Sequence, residues 1–227
     1  ARIRQGLMLS NASMLPLGAL MVGLAVPIVK LVYERGAFDH GAAQLVAALL
    51  MAYGVGMPAY LARDVLVRVF YALGDGTTPF RWSIGGIGLN ACFDWVLVGG
   101  PTPWGLQLPA LNFGAPGVVL ATVAVNLITC LGLLLALQRR LGGLPLRAWG
   151  RDSLLLLLAA VAAGGVGWTA ASMVGWPAGL LGLLLQNAVS AGLALATYGL
   201  IGSLAGVPEV RQVLALAQRK TKPASGG

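Results

Sequence analysis

A carboxylate lies within an apolar stretch of this sequence, about one helical turn from the end of that stretch. Asp94 follows Asn90 by one helical turn, and Thr122 and Asn126 repeat that spacing in the next apolar stretch. Residues four apart share a helix face, so two antiparallel neighbouring helices would bring these side chains to one polar spot. Its carboxylate, hydroxyl and amide oxygens suit a hard monovalent cation or a proton better than zinc, which takes His and Cys. The sequence predicts a cation site there.

Two other interpretations of this spot remain open. A charged group near the centre of a bilayer costs at least about 2.5–3.5 kcal/mol, so Asp94 needs a compensating partner. Asn90, Thr122 and Asn126 can instead be interhelical hydrogen-bonding residues that contribute about 0.6 kcal/mol per contact. Asp94 can also lie high enough to reach the outer headgroups through water.

Arg63 and Arg68 are candidates for binding an anionic headgroup. They lie in the last third of an apolar stretch of unusual length, at 42–73. Guanidinium groups bind phosphate with paired donors, so the two can line a cavity that receives a phosphorylated lipid. Alternatively, they extend to the membrane surface or pair with Asp64.

The composition indicates the class of protein that holds these residues. Of 227 residues, 58% are hydrophobic and 10% are charged, whereas soluble domains carry about 25% charge. A water-soluble core and a disordered chain are excluded. With one histidine, two cysteines within apolar stretches and no nucleophile motif, the sequence predicts neither an enzyme nor a bound cofactor.

The apolar stretches predict an all-α polytopic membrane protein with six transmembrane helices. The predicted spans are 13–33, 42–73, 80–98, 117–138, 153–174 and 178–205. We divide the chain into an interfacial amphipathic linker end (1–12), four transmembrane helices (13–138), a basic loop (139–152), a final helix pair (153–205) and an amphipathic tail (206–227). The linker-like opening predicts that the chain is the C-terminal part of a longer protein.

Charge sets the orientation. All of the 15 basic residues except Lys30 and Arg35 fall on one side of the membrane in this arrangement. The positive-inside rule makes that side cytoplasmic, and with it both termini. The net charge of +8 then reflects cytoplasmic loops that face anionic membrane lipids. Nucleic acid is not an expected partner, because the basic residues are dispersed between spans.

Two motifs on opposite sides of the membrane carry a family resemblance. The sequence Glu-Arg-Gly-Ala-Phe-Asp begins at 34, and Phe-Tyr-Ala-Leu-Gly-Asp-Gly-Thr-Thr-Pro begins at 70. This pair resembles the C-terminal part of the MurJ/MviN-type lipid II flippases of the multidrug/oligosaccharidyl-lipid/polysaccharide exporter superfamily. The motif residues are Glu34, Arg35, Gly36 and Phe38 in the first and Phe70, Tyr71, Asp75, Thr78 and Pro79 in the second.

The resemblance implies most of the second lobe of a fourteen-helix fold, with the N-terminal lobe of the same protein absent from this chain. It implies lipid II transport from the inner to the outer leaflet of the bacterial cytoplasmic membrane by alternating access, with the last helix pair forming a lipid-accommodating groove. It also implies a site for Na⁺, or coupling to protons, at Asn90, Asp94, Thr122 and the carbonyl of Val118.

Other functions stay open at this point. Within the same superfamily, the chain can belong to another lipid-linked polysaccharide flippase or to a cation-coupled drug antiporter, which hydropathy does not separate. Outside it, the alternatives are a lipid-modifying enzyme, which predicts acidic or His clusters at one membrane face, and a noncatalytic membrane scaffold.

Overall fold

The described residues of this computed structural model are 2–33, 40–99, 110–210 and 212–213. They form α-helices joined by turns, with no strand in these ranges, so the all-α prediction is confirmed for this part of the chain. The helices are α1 (Arg2–Gly23), α2 (Ala25–Tyr33), α3 (His40–Ala72), α4 (Thr77–Val98), α5 (Ala115–Leu141), α6 (Leu146–Met173) and α7 (Leu180–Leu204).

Five of the described helices are long and apolar enough to cross a membrane, namely α1, α3, α5, α6 and α7. Helix α4 spans 22 residues but is not among them. Its mean hydropathy is lowered by Arg81, Asn90 and Asp94. The chain is thus a multi-pass membrane protein by composition and length, and the count of six spans remains a prediction.

The predicted first span, 13–33, is divided between two helices. Helix α1 already begins at Arg2, and the break falls at Leu24. Pro27 has no N–H, so the carbonyl of Gly23 loses its donor one turn ahead. Hydrogen bonds from Leu24 N–H to Leu20 O and from Ile28 N–H to Leu24 O, both 2.9 Å, connect α1 to α2 across the break. The proposed domain boundaries remain predictions.

The helices pack as a row of neighbours in the order α4, α5, α3, α1, α6 and α7. We call the end that holds the α3–α4 turn (73–76) and the α5–α6 connection (142–145) the basic end, since Arg81, Arg139, Arg140 and Arg147 lie near it. A buried cluster near this end unites α1, α3, α5 and α6 through Met8, Leu66, Phe70, Leu137 and Trp149, among others.

Close backbone contact between α1 and α3 depends on glycine. A Cβ on Gly54 would lie 2.8 Å from the carbonyl oxygen of Gly18, a distance that real Cβ atoms do not show. Gly23 approaches Gly164 of α6 in the same manner. Small residues at membrane-helix interfaces let backbones approach and gain van der Waals contact. These glycines therefore let α1 pack closely between α3 and α6.

Candidate functional site

Helices α4 and α5 are antiparallel and interlock at two levels. Near the basic end, the indole of Trp82 fills the space over Gly132, so that a Cβ there would overlap the ring. One turn further along α4, an ideal Cβ on Gly86 would lie 3.3 Å from Cγ1 of Val125. This packing fixes which polar residues of α4 face which polar residues of α5.

The carboxylate of Asp94 is only half satisfied by the protein. Its Oδ2 accepts a hydrogen bond from Nδ2 of Asn90 at 2.7 Å, which confirms that the two share a helix face. Its Oδ1 is buried and has no hydrogen-bond partner. A buried oxygen of an ionised carboxylate costs free energy unless a donor or a cation reaches it. Asp94 therefore has an open ligand position.

Thr122 and Asn126 of α5 line the same space as Asp94 and carry side-chain oxygens. The hydroxyl of Thr122 donates to the carbonyl of Val118 at 3.1 Å, and Nδ2 of Asn126 donates to the carbonyl of Thr122 at 2.8 Å. The hydroxyl oxygen of Thr122 and the amide oxygen of Asn126 keep acceptor lone pairs. Both side-chain oxygens are therefore available to a ligand while the hydrogen bonds from these side chains to the α5 backbone stay intact.

A cavity of about 480 Å³ joins these side chains. It lies between α3, α4 and α5, and its lining comprises Arg63, Trp82, Ser83, Gly86, Ile87, Asn90, Ala91, Asp94, Thr122, Val125, Asn126 and Thr129. Of the sequence-predicted ligands, the structure brings Asn90, Asp94 and Thr122 together. Val118 is not in the lining, although its carbonyl accepts the hydrogen bond of Thr122.

The donor set fits a small monovalent cation. It holds one carboxylate with a free buried oxygen, together with hydroxyl and amide oxygens, and it holds no thiolate or imidazole. In the described ranges, no three His, Cys, Asp or Glu residues lie together as ligands for a transition metal. Hard oxygen donors around one negative charge suit Na⁺ or a proton. The assignment of Asn90, Asp94, Val118 and Thr122 as ligands stays a prediction.

Arg63 and Arg68 occupy different environments. Arg63 is half-buried and lines the cavity, whereas Arg68 is exposed and lies outside its lining. Ion pairs elsewhere in the described ranges do not include Arg63, Arg68 or Asp64, so the alternative of pairing with Asp64 is not realised in this conformation. From the sequence, Arg63 was predicted to bind an anionic headgroup. Its place in the same cavity as Asp94 was not predicted.

The second family motif forms the α3–α4 turn. Oδ1 of Asp75 accepts from the N–H of Thr78 at 3.0 Å, and Oδ2 accepts from the Thr78 hydroxyl at 2.8 Å and from Arg140. These bonds, led by the Thr78 N–H, lower the pKa of Asp75 to about 2. Asp75 therefore caps α4 and ties the turn to the end of α5.

The remaining residues of the two motifs have structural positions. Phe70 is 1% exposed in the cluster near the basic end, Pro79 is buried and Tyr71 is exposed. The first motif, with Glu34, Arg35, Gly36 and Phe38, lies outside the described residues.

A second group of charges was missed at the sequence level. Arg4 of α1 donates to Asp152 of α6 at 2.7 Å and to Glu209 at 2.8 Å. Glu209 is 3% exposed, and its Oε2 has no hydrogen-bond partner. The signal in the sequence was that Asp152 and Glu209 lie among the arginines that were assigned to one side of the membrane. Separations of 148 and 205 positions along the chain hid the pairing.

An apolar cavity of about 620 Å³ lies on the other side of α3. Residues of α1, α3 and α6 line it, including Gly18, Gly54, Pro58, Gly164 and Trp168. The resemblance implied a groove made by the last helix pair. In this structure α6 lines the cavity together with α1 and α3, and no α7 residue is part of the lining.

Comparisons with known proteins agree on one family. The family model described as lipid II flippase MurJ matches residues 1–190. A probable lipid II flippase MurJ of Synechocystis sp. is 44% identical over 221 residues, which are 92% of this chain and 38% of that protein. The lipid II flippase MurJ of Thermosipho africanus is 28% identical over 122 residues, which are 52% of this chain and 22% of that protein.

A solved structure agrees with the fold. A lipid II flippase MurJ in an inward closed conformation superposes with a TM-score of 0.64 at 19% identity, and the match covers 87% of this chain and 38% of that one. The chain thus spans well under half the length of the flippases that it matches. With the family model matching most of its residues, the chain belongs to the MurJ family of lipid II flippases.

Proposed function

We propose that this chain supplies most of the second lobe of a flippase that moves lipid II from the inner to the outer leaflet of the bacterial cytoplasmic membrane. Family membership and relatives named as lipid II flippases support this function. It is transport and not catalysis. In this proposal the first lobe and further headgroup-binding residues would belong to the remainder of the full-length protein, since the chain covers 38% of the Synechocystis relative. None of the relatives described above is named as an antiporter or a scaffold.

The cavity with the unpartnered oxygen of Asp94 is the observation that carries the mechanism. Asp94, Asn90 and Thr122, with the carbonyl of Val118, would hold Na⁺, or Asp94 alone would hold a proton. Such a ligand would neutralise the carboxylate in a low-dielectric wall. Because a ligand shifts a conformational equilibrium only by its difference in affinity for the two states, Asp94 must be better coordinated in one state of the transport cycle.

The basic end is the cytoplasmic end in this proposal. The positive-inside rule supports this orientation, which places both chain termini in the cytoplasm. Arg63 and Arg68 would then face the pyrophosphate of lipid II from the cytoplasmic side, since guanidinium groups pair their donors with phosphate oxygens. The apolar cavity between α1, α3 and α6 would accommodate part of a lipid chain.

A transport assay tests the role of Asp94. In proteoliposomes that contain the full-length protein, Asp94→Asn should remove the dependence of lipid II flipping on a Na⁺ or proton gradient, because the amide cannot carry the countercharge. A matched control is Asp64→Asn, which removes an exposed carboxylate of α3 outside the cavity. The control should keep the dependence. A gradient dependence in Asp94→Asn equal to that of the wild type would remove the cation role and leave the flippase function standing.

A further inference from the structure

Polar side chains continue along the cavity from Asp94 toward the basic end. Asn90 and Ser83 lie on α4, and Asn126 and Thr129 lie on α5. The proposed cation site uses the end of the cavity around Asp94 and does not require Ser83 or Thr129. Polar groups at membrane depth are rare unless they pair with one another or line an ion pathway. The additional polar residues therefore indicate a second role for this cavity.

Two contacts fix the register of the antiparallel helices α4 and α5. An ideal Cβ on Gly86 would lie 3.8 Å from the hydroxyl oxygen of Thr129, and one on Gly117 would lie 3.1 Å from the carbonyl oxygen of Leu97. Between these contacts, each residue further along α4 is matched by one residue further back along α5. The level of every lining residue on the two helices therefore follows from its number.

The register arranges the polar lining residues in a row that both helices supply. From the basic end, the order is Ser83, Thr129, Asn126, Asn90, Thr122 and Asp94. With a rise of about 1.5 Å per residue, neighbours in this row differ in level by about 3–5 Å. That spacing is short enough for a partly hydrated cation to contact one oxygen before it leaves the previous one.

Thr129 and Asn126 are buried, and each keeps an oxygen available to the cavity. Thr129 is 3% exposed and Asn126 is 7% exposed. Nδ2 of Asn126 donates to the carbonyl of Thr122 at 2.8 Å, which leaves its amide oxygen as an acceptor. Within the described residues, the Thr129 hydroxyl makes no hydrogen bond, whereas the Thr122 hydroxyl donates to its own helix. Both oxygens can therefore replace water around a cation that passes them.

Backbone contacts close the cavity at its other end. Gly117 of α5 lies against the carbonyl of Leu97 of α4. The N–H of Leu111 donates to the carbonyl of Val96 at 2.9 Å, so the segment before α5 also binds this end of α4. The described lining on α4 ends at Asp94. Because backbones are in contact here, a passage at this end requires the two helices to separate.

Arg63 marks the end of the cavity that lies nearer the basic end. Helices α3 and α5 run in the same direction and meet where Gly56 packs on Val123, so Arg63 is nearly level with Thr129. It is half-buried and lines the cavity. In the proposed function this guanidinium faces the pyrophosphate of lipid II, whose negative charge would offset the positive charge of Arg63 at the entrance.

We infer that Na⁺ reaches and leaves Asp94 from the basic end of the molecule, along the oxygens of Thr129, Asn126 and Asn90, and that the opposite end of the cavity is closed. This inference rests on the proposed cation site and adds its route. Since the basic end is cytoplasmic in the proposed orientation, this conformation exchanges its cation with the cytoplasm.

Thiol modification of the full-length protein in proteoliposomes tests the route. With Cys92→Ala, Cys130→Ala and alanine at every other native cysteine, Thr129→Cys should react with MTSET, a membrane-impermeant cationic thiosulfonate. Arg147→Cys, at an exposed position of the basic end, reports the side on which that end lies. The reaction of Thr129→Cys should be at least tenfold faster from that side than from the other. An equal or faster reaction from the other side, or none from either side, would overturn the inference.

Leu131→Cys is the matched control. Leu131 lies two residues from Thr129 at nearly the same depth, but it is 59% exposed on the surface of α5 and is not part of the cavity lining. A thiol there has no access to water through the cavity, so it should not react from either side. Reaction of Leu131→Cys at the rate of Thr129→Cys would overturn the inference, because it would show that water reaches α5 without the cavity.

Modification at Thr129→Cys should also block the ion. The MTSET adduct lies about 13 Å from the level of Asp94, too far to occupy the cation site itself. It should slow ²²Na⁺ binding at least tenfold relative to the same variant before modification, and cleavage of the adduct with dithiothreitol should restore the rate. Unchanged ²²Na⁺ binding kinetics in the fully modified protein would overturn the route.

Asp94→Asn separates the route from the proposed cation site. It should abolish saturable ²²Na⁺ binding to the full-length protein. Binding of ²²Na⁺ that survives Asp94→Asn would contradict the cation site itself. Binding that depends on Asp94 but is not slowed by modification of Thr129→Cys would contradict only the route.

Discussion

Two aspartates near the ends of α4 have opposite environments. Asp75, before the helix, is fully engaged by Thr78, Thr77 and Arg140. Asp94, near the other end, has one engaged and one open oxygen. A carboxylate that has all its hydrogen bonds supports structure, whereas a buried one with an open position favours a ligand. The difference between a capping residue and a candidate binding residue therefore lies in the second oxygen.

The sequence could predict the polar spot because depth along a helix follows from residue count. The spacing of Asn90 and Asp94, and of Thr122 and Asn126, required no knowledge of tertiary structure. The sequence could not predict the place of Arg63 in the same cavity. That placement depends on α3 packing against α5 beside α4, and no spacing within one helix encodes which helices are neighbours.

We predict that Asp75→Asn lowers the melting temperature of the full-length protein by a few degrees at neutral pH. The carboxylate is stabilised mainly by the Thr78 N–H, so its pKa falls from about 3.9 in an unfolded chain to about 2. Its contribution is complete above about pH 4 and is lost as the pH falls toward about 2. The difference between wild type and variant, followed by thermal unfolding against pH, should shrink over that interval.

Thr77→Ala is a control for this effect, because the Thr77 hydroxyl donates to the same carboxylate at 3.0 Å but is not its leading partner. It should change the melting temperature less than Asp75→Asn does. A melting-temperature difference for Asp75→Asn that is independent of pH between 2 and 5 would contradict the assignment.

At the level of elements, boundaries are where the sequence and the structure differ. Helices α4 and α5 lie close to the predicted spans because glycine and proline interrupt the chain on either side. Residues 13–33 were predicted as one span, and Pro27, whose missing N–H interrupts the helical hydrogen bonds, accounts for the break at Leu24. Hydropathy does not register a lost backbone hydrogen bond, so an apolar stretch with an internal proline is read as one span.

Close packing of α1 on α3 gives an element-level prediction. Gly54→Ala introduces a Cβ 2.8 Å from the carbonyl of Gly18, so the helices must separate. Overpacking of this kind costs about 1–3 kcal/mol. The matched control is Gly150→Ala on α6, whose Cβ meets nothing within 4 Å and should be neutral or slightly stabilising. Equal melting temperatures of the full-length Gly54→Ala variant and the wild type would refute the close contact.

On the scale of the whole molecule, the last helix pair joins the others mainly through α1, and α7 also contacts α2. Asn11 donates to Ser153 of α6 at 3.1 Å, and the hydroxyl of Tyr198 donates to the carbonyl of Ala12 at 3.2 Å. Arg4 adds its ion pairs to Asp152 and Glu209. Composition predicted a membrane protein, and the apolar stretches predicted the approximate bounds of its spans. It could not predict this attachment, because the contacts are single polar pairs between distant parts of the chain.

The Arg4 cluster carries a prediction for the assembled protein. Arg4→Ala leaves Glu209 buried without its countercharge and should destabilise the full-length protein by about 2 kcal/mol, less than the 3–5 kcal/mol of a fully buried pair because Arg4 is partly exposed. Arg147→Ala removes an exposed arginine at the same end and serves as the control. Similar melting temperatures for the two variants would show that the cluster does not stabilise the fold.

In the proposed mechanism, Asp94 and its neighbours bind a small cation in the cavity between α3, α4 and α5. Anomalous diffraction from crystals of the full-length protein soaked with Tl⁺, a heavy monovalent cation, tests it most directly. We expect an anomalous peak within contact distance of Asp94 Oδ1 and the Thr122 hydroxyl, and no peak in Asp94→Asn crystals. An absent peak in the wild type, or a peak that persists in Asp94→Asn, would contradict it.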